Sequence, residues 1–441
     1  MKQLKSLLPA ALLTLCAGLP SLSIAANLTI SCGAVGAELQ LCKEAVEAWS
    51  KQTGNNVEVV STPNSATERL SFYQQILSAQ SADIDIIQID MVWPGMLAKH
   101  LMDLREVLPA NATQGYFQAQ VDNATVNGRL VTMPWFTDSG LLYYRKDLLE
   151  KYDKQVPQTW EEMTSTAKDV QQAERTAGNP NAWGYIFQGR AYEGLTCNAL
   201  EWISSQPEGG LVNPKGDIVV NSQASRTALT LAKSWVGDIS PRGVLNYTEE
   251  EGRGVFQSGN ALFMRNWPYV WALVQSQDSA VKDKVGVAPL PRGGEAGSHA
   301  STLGGWGLAV SRYSAHPKLA AELVSYLTSA QEQKHRALIG AYNPVIESLY
   351  QDPELLLAMP LRSAAQHSQR WSHAPRLHHC RSLSTGLQCV LRSSARCAGG
   401  RVACRSGAGR TGKRTHAHQT PELVSHKEGN HHVCLFYPCP L

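Results

Sequence analysis

The sequence predicts an α/β fold, and three observations carry that reading. Between residues 28 and 89, short apolar strands alternate with amphipathic helices, which argues a parallel sheet wrapped by helices. The third of those strands, Ile84 to Ile89, is apolar nearly throughout, as a strand covered on both faces must be. Beyond residue 150 helical patterns dominate, separated by Gly-, Asn- and Pro-bearing loops such as Gly178-Asn179-Pro180.

Leu28-Thr29-Ile30 is the first strand, followed by a loop over Ser31–Ala37. Glu38 to Gln52 places Leu41, Ala45, Ala48 and Trp49 at helical spacing. A second strand covers Val57 to Val60, and a helix from Ala66 to Ser78 carries Leu70, Tyr73 and Leu77 on one face. Arg69 is placed on the solvated face of that helix rather than against a carboxylate. Asp90 stands at the carboxyl end of the third strand, before Met91-Val92-Trp93-Pro94-Gly95. Ligands of open α/β sheets bind beyond such ends, which favours a binding role for Asp90 over a helix cap.

Asn127-Gly128 signals a hairpin that feeds the stretch from Pro134 to Leu149. Pro134 is expected to end the preceding segment, since proline fixes φ and donates no hydrogen bond. Leu141 to Tyr144 has the composition of a buried strand, and Asp147 is expected to cap a helix over Leu148 to Tyr152. Asp138 sits alone among aromatic residues; it reads either as the cap of a turn at Ser139-Gly140 or as a binding carboxylate.

Further helices are expected over Trp160 to Ala177, Tyr192 to Ser204 and Ser222 to Trp235, with a strand at Ile218-Val219-Val220. Glu249-Glu250-Glu251 opens a helix through Phe256, where acidic residues suit the N-terminal dipole. Ala261 to Trp271 is a strand running into the aromatic turn Trp267-Pro268-Tyr269. An edge-like strand at Val285 to Pro291 follows, then a glycine-entered strand from Thr302 to Val310. Helices from Pro317 to Ser329 and Glu332 to Leu338 close the regular pattern. No P-loop, dinucleotide fingerprint or metal-ligand spacing occurs in this body, so no cofactor, metal or nucleic-acid partner is expected.

The chain has 441 residues, long enough for two or three domains with their own cores. Its net charge of +3 hides a division: residues 361–441 hold 12 of the 40 Lys+Arg but only 2 of the 37 Asp+Glu. The body is therefore acidic and the tail basic. Residues 1–26 read as a secretory signal peptide, with Lys2 and Lys5, an apolar run from Leu7 to Leu19 and small residues at Ala25-Ala26. Cys16 lies inside that run, preceded by Leu15, and so signals no lipid anchor. Cys32 and Cys42 could bridge in an oxidising compartment if their Cα atoms approach within about 7 Å. Cys197 is then a lone thiol, expected to be buried.

The run Pro134-Trp135-Phe136-Thr137-Asp138-Ser139-Gly140-Leu141-Leu142-Tyr143-Tyr144-Arg145-Lys146-Asp147-Leu148-Leu149 resembles the inter-lobe crossing of extracellular sugar-binding proteins of ABC transporters, of the trehalose/maltose-binding branch. Matching blocks recur in order at Val35-Gly36-Ala37-Glu38, Ile89 to Gly95, Phe187-Gln188-Gly189 with Tyr192 to Leu195, Arg265 to Tyr269 and Thr302 to Trp306. The likeness spans about Leu28 to Leu357. It implies a two-lobed periplasmic binding protein-like α/β fold (type II) with the ligand cleft between lobes. Residues 27–137 with 308–341 would form the first lobe, and 142–303 with 345–360 the second. The resemblance further implies a monomeric periplasmic receptor whose lobes close on a small sugar, a trehalose- or maltose-like α-glucoside, and which hands it to transmembrane permease subunits. Carried over by position, Glu38, Asp90 and Asp138 would accept hydrogen bonds from hydroxyls. Trp267, Tyr269 and Trp306 would supply aromatic walls, and Gly304 and Gly305 would bring backbone close to the ligand.

The residue types suit that task. Carboxylates accept hydroxyl donors as charge-assisted hydrogen bonds, roughly twice as strong as neutral ones. Aromatic rings cover the apolar C–H face of a pyranose with few rotamers to freeze. The competing reading of the tryptophans is ordinary core packing, against which stand their loop-like contexts at strand ends. The same groups could form a glycosidase site, which needs two carboxyls about 5 to 10 Å apart, but no glycosidase motif accompanies them.

After about Met359-Pro360 the pattern breaks. Residues 361–441 hold 9 of 13 histidines and 6 of 10 cysteines, and nothing there matches the helices or the ligand-reaching Arg-Pro element with which the family ends. An out-of-frame translation of an ordinary C-terminus explains this abrupt bias best. A disordered basic tail with its own partner is the next reading. A zinc module through Cys380, Cys389, Cys397 and Cys404 is the third, though no C-x₂₋₄-C pair is present to nucleate it.

Overall fold

The structure is a computed structural model that describes residues 26–34, 36–213 and 215–358. Two mixed sheets, each with its own apolar cores, form two lobes. In the first sheet the strands run in the order Asn56–Val59, Asn27–Ser31, Ile86–Asp90, Leu303–Val310, Met133–Ser139. The first three are parallel, as the strand–helix alternation predicts. Leu303–Val310 returns antiparallel between Ile86–Asp90 and Met133–Ser139, so the sheet is mixed rather than all-parallel. Ile86, Ile87 and Ile89 are almost fully buried, in keeping with a strand covered on both faces.

The second sheet has the order Val285–Ala288, Leu141–Arg145, Ala261–Asn266, Trp183–Ile186, with Val285–Ala288 at the edge. Trp160, Tyr185, Phe187, Trp202 and Trp235 pack as a cluster of rings behind it. The helices Trp160–Thr176 and Gln223–Trp235 begin where their caps stand: Thr159 closes a capping box with Glu162, and Ser222 accepts from Ser225 N, whereas Glu193–Ser204 follows Tyr192 without a side-chain cap.

The chain passes from the first sheet to the second through one residue, Gly140, between Met133–Ser139 and Leu141–Arg145. A Cβ there would lie 2.0 Å from Glu201 Oε1, because the crossing presses on a buried ion pair between Glu201 and Arg265. Cys32 and Cys42 are disulfide-bonded with Cα atoms 6.0 Å apart, spanning the start of the helix Gly36–Thr53. Cys197 is a buried free thiol. Among the described residues no helix is long and apolar enough to cross a membrane.

Several local expectations need correction. Pro134 lies inside Met133–Ser139, opposite Gly307 beside a register shift, where the ladder does not need its missing N–H. Asp147 sits in the first turn of Lys146–Lys151 rather than capping it, because its carboxylate takes a two-point bond from Arg145 at 2.7 and 2.6 Å. Ile218-Val219-Val220 forms no strand: Ile218 is 67% exposed and makes a single bridge to Val212. Of the stretch 345–360, assigned by sequence to the second lobe, the described residues 345–358 pack on the first. Val345, Ile346, Leu349 and Leu355 join the core that holds Leu28 and Ile30, and bridges tie Asn343 to Thr137 and Ile346 to Tyr116. The signal-peptide and tail readings fall on 1–25 and 359–441, outside the described residues.

Candidate functional site

A cavity of about 200 Å³ lies between the lobes, walled by Glu38, Asp90, Asp138, Gly304, Gly305 and Trp306 from the first and by Trp267 and Tyr269 from the second. All eight residues singled out by the sequence therefore meet at one place. The strand Leu303–Val310 organises the first wall. Trp306 pairs with Asp90 on one side, and Gly304 pairs with Asp138 on the other. Gly305 has φ +139, where an added Cβ would lie 2.6 Å from the carbonyl oxygen of Phe136.

Asp138 does not cap a turn. It lies within a strand, is 8% exposed, and its Oδ1 has no hydrogen-bond partner among the described residues. Burial, together with the charges of Glu38 and Asp90, raises its pKa to about 7 against the pull of Arg265 and Arg336. Asp90 accepts a bond from Val92 N at 3.1 Å, so it holds its own turn while facing the cleft. Burial and the charge of Glu249 raise it to about 6. Glu38 is oriented by Gln88 Nε2, which donates to its Oε1 at 2.7 Å.

The aromatic residues are held from behind. The Arg265 guanidinium lies 3.7 Å from the Trp267 ring centre, and Trp267 Nε1 donates to Glu249 at 3.3 Å. Trp306 meets Trp93 edge-on at 5.4 Å, and Arg69 stacks on it at 4.9 Å. Tyr269 donates to Glu250 at 2.6 Å and stacks across the cleft on Tyr342, 6.2 Å away and 12° from parallel. Tryptophan as plain core packing describes Trp93 and Trp135 in this chain, whereas Trp267 and Trp306 are only partly buried.

Some wall residues escaped the sequence reading. Arg69 is 1% exposed rather than solvated, because Gln88 Oε1 and the Pro63 carbonyl accept from it at 3.0 Å. Glu193, Glu249, Glu250 and Tyr342 also line the cleft. The acidic run at 249–251 carries a signal for this, but it read as helix-dipole chemistry. Burial beside Asp90 and Glu249 raises Glu193 to about 8. Among the described residues no group of side chains is arranged to hold a metal ion.

Two lobes in sequence-discontinuous halves around a cleft of carboxylates and rings define a ligand-binding protein. Residues 37–334 match the family described as bacterial extracellular solute-binding protein, and the chain belongs to that family, whose members serve ABC transporters. A probable ABC transporter-binding protein of Deinococcus radiodurans is 50% identical over 337 residues, 76% of this chain and 80% of the relative. The maltose-bound structure of T. maritima MalE3 superposes with a TM-score of 0.79 at 36% identity, covering 85% of this chain and 95% of that one. The maltodextrin-binding protein MdxE of Bacillus subtilis is 24% identical over 229 residues, 52% of each chain.

Proposed function

We propose that this chain is a monomeric periplasmic receptor that binds a small α-glucoside, trehalose- or maltose-like, between its lobes and delivers it to the transmembrane permease of an ABC importer. The observation that carries the reading is the unpartnered, buried Oδ1 of Asp138 in a wall shared with Trp267 and Gly304. A buried acceptor without a donor is costly, and a sugar hydroxyl supplies the missing donor while its C–H face meets the ring. Glu38 and Asp90 accept further hydroxyls, Trp267, Tyr269 and Trp306 wall the sugar, and Gly304 and Gly305 admit it close to the backbone. MalE3, at 36% identity, carries maltose in its structure, which makes maltose the first ligand to try. A glycosidase reading gains nothing, since the chain belongs to a family of binding proteins.

Calorimetric titration against mono- and disaccharides tests the proposal, with trehalose and maltose expected to give saturable heat. The mature chain and a version with a family-like C-terminus are titrated side by side, and silence of both toward every sugar removes the reading. For the basic tail the proposal is an out-of-frame origin, which one genomic read across codon 360 decides.

A further inference from the structure

Two contacts join the lobes at the rim of the cleft. Arg190 Nη2 meets Glu68 Oε1 at 2.6 Å, and the backbone N–H of Glu193 donates to Thr67 Oγ1 at 3.1 Å. Thr67 and Glu68 belong to the first turn of the helix Ala66–Ser78, which packs on the first sheet. Arg190 and Glu193 belong to the loop and helix start that follow the strand Trp183–Ile186 of the second. The side chains of Glu68 and Arg190 are 54% and 45% exposed, and neither lines the cavity.

Closure has an opposing force. It brings Asp90 of the first lobe against Glu193 and Glu249 of the second, and each of these charges disfavours the others. At a pH where these carboxylates are ionised their repulsion opposes closure, and an attractive contact outside the cleft offsets it. We infer that Glu68 and Arg190 form a clasp that sets ligand affinity by favouring the closed form, without touching the ligand. This rests on the reading of the chain as a receptor that closes on its ligand.

A ligand held only by the closed form binds with an apparent constant scaled by the fraction of molecules able to close. An exposed ion pair shifts that fraction about two- to five-fold and does so in a salt-dependent way. Because the pair is half in solvent and bridges two lobes with separate cores, its removal leaves the melting temperature of the protein unchanged.

The test uses maltose as the probe on the full mature chain at low ionic strength. Glu68→Gln and Arg190→Gln each weaken binding about two- to five-fold, the double swap Glu68→Arg with Arg190→Glu restores it, and all four proteins converge in about 1 M salt. Single variants that bind as tightly as the parent, or a swap as weak as the singles, overturn the clasp. Absence of heat with maltose counts against the choice of sugar instead. The clasp is then decided by ligand-free small-angle scattering. The parent should show a smaller radius of gyration than Arg190→Gln at low salt and the same radius at high salt; equal radii at low salt overturn it.

Discussion

Asp138 and Gly304 lie directly opposite each other in the first sheet, and a Cβ at residue 304 would stand 3.3 Å from both the Asp138 Cβ and the Trp267 ring. One carboxylate of the first lobe and one ring of the second are thus brought together over a glycine, where a side chain would press on both. The same strand presents Trp306 opposite Asp90 two positions on. Asp138→Asn keeps the shape but offers a neutral amide in place of the charged acceptor. A hydrogen bond to a charged group contributes about 1.5–3 kcal/mol, so sugar affinity at pH 8 should fall roughly ten- to a hundred-fold. Calorimetry reads this directly, and affinity within two-fold of the parent would place Asp138 outside the ligand's reach.

Trp306 is expected to matter for a second reason. Its ring faces the cleft while Arg69 stacks on it and Trp93 supports its edge. Trp306→Leu removes the wall and leaves the Arg69 guanidinium without its ring partner. An aromatic contact is worth about 0.5–1.5 kcal/mol beyond buried area, so affinity should drop at least several-fold. Quenching of tryptophan fluorescence on adding sugar should shrink in the same variant.

The fold was legible wherever local chemistry and global packing agree. Asn127 and Gly128 take φ of 51 and 78, the hairpin their sequence demands, and Ser222 caps the helix its hydroxyl announces. The eight cleft residues were legible mainly through their family blocks, since nothing in a lone Asp138 separates a turn cap from a binding group. Arg69 was misplaced because its burial is decided by Gln88 and Trp306, which arrive from other strands. Tyr342 carries no local signal either: a bridge between Thr137 and Asn343 brings it to the cleft, where Arg336 stacks on it at 4.6 Å. The placement of 345–358 on the first lobe is likewise a property of long-range packing.

Closure itself makes a prediction. Asp90 and Glu38 stand on the first lobe and Trp267 and Tyr269 on the second, so a ligand gains both sets only in the closed form. Small-angle scattering should show a smaller radius with saturating sugar than without. An unchanged radius, in the parent and in Arg190→Gln alike, would overturn ligand-driven closure.

The ion pair beneath the crossing governs stability. Arg265 and Glu201 have fully buried side chains, with Arg265 Nε donating to Glu201 Oε2 at 2.9 Å and Thr302 N donating to Oε1 at 3.1 Å. Glu201→Ala leaves a buried guanidinium uncompensated, which costs about 3–5 kcal/mol. Urea unfolding should show a large loss confined to the second lobe, and Glu201→Gln a smaller one, because the amide still accepts. A midpoint unmoved by Glu201→Ala would show that water reaches Arg265.

The cleft carboxylates also fix how stability responds to pH. Asp90, Asp138 and Glu193 have folded pKa values raised to about 6, 7 and 8, above those of the unfolded chain. Between about pH 4 and 8 the folded form therefore holds protons that the unfolded form has released, and stability falls as pH rises through that window. Asp147, Glu174 and Asp352 are shifted the other way by Arg145, Lys151 and Lys334, and their contribution is lost as pH falls below the usual carboxylate range. The two trends place the maximum near pH 4, with a decline toward pH 8 and little change above it. Asp138→Asn and Glu193→Gln should raise the melting temperature at pH 8, leave it unchanged near pH 4, and flatten the decline between. Thermal melts across that range check the sign: a parent protein that grows more stable from pH 5 to 8 would show that these carboxylates are ionised and solvated in the folded state.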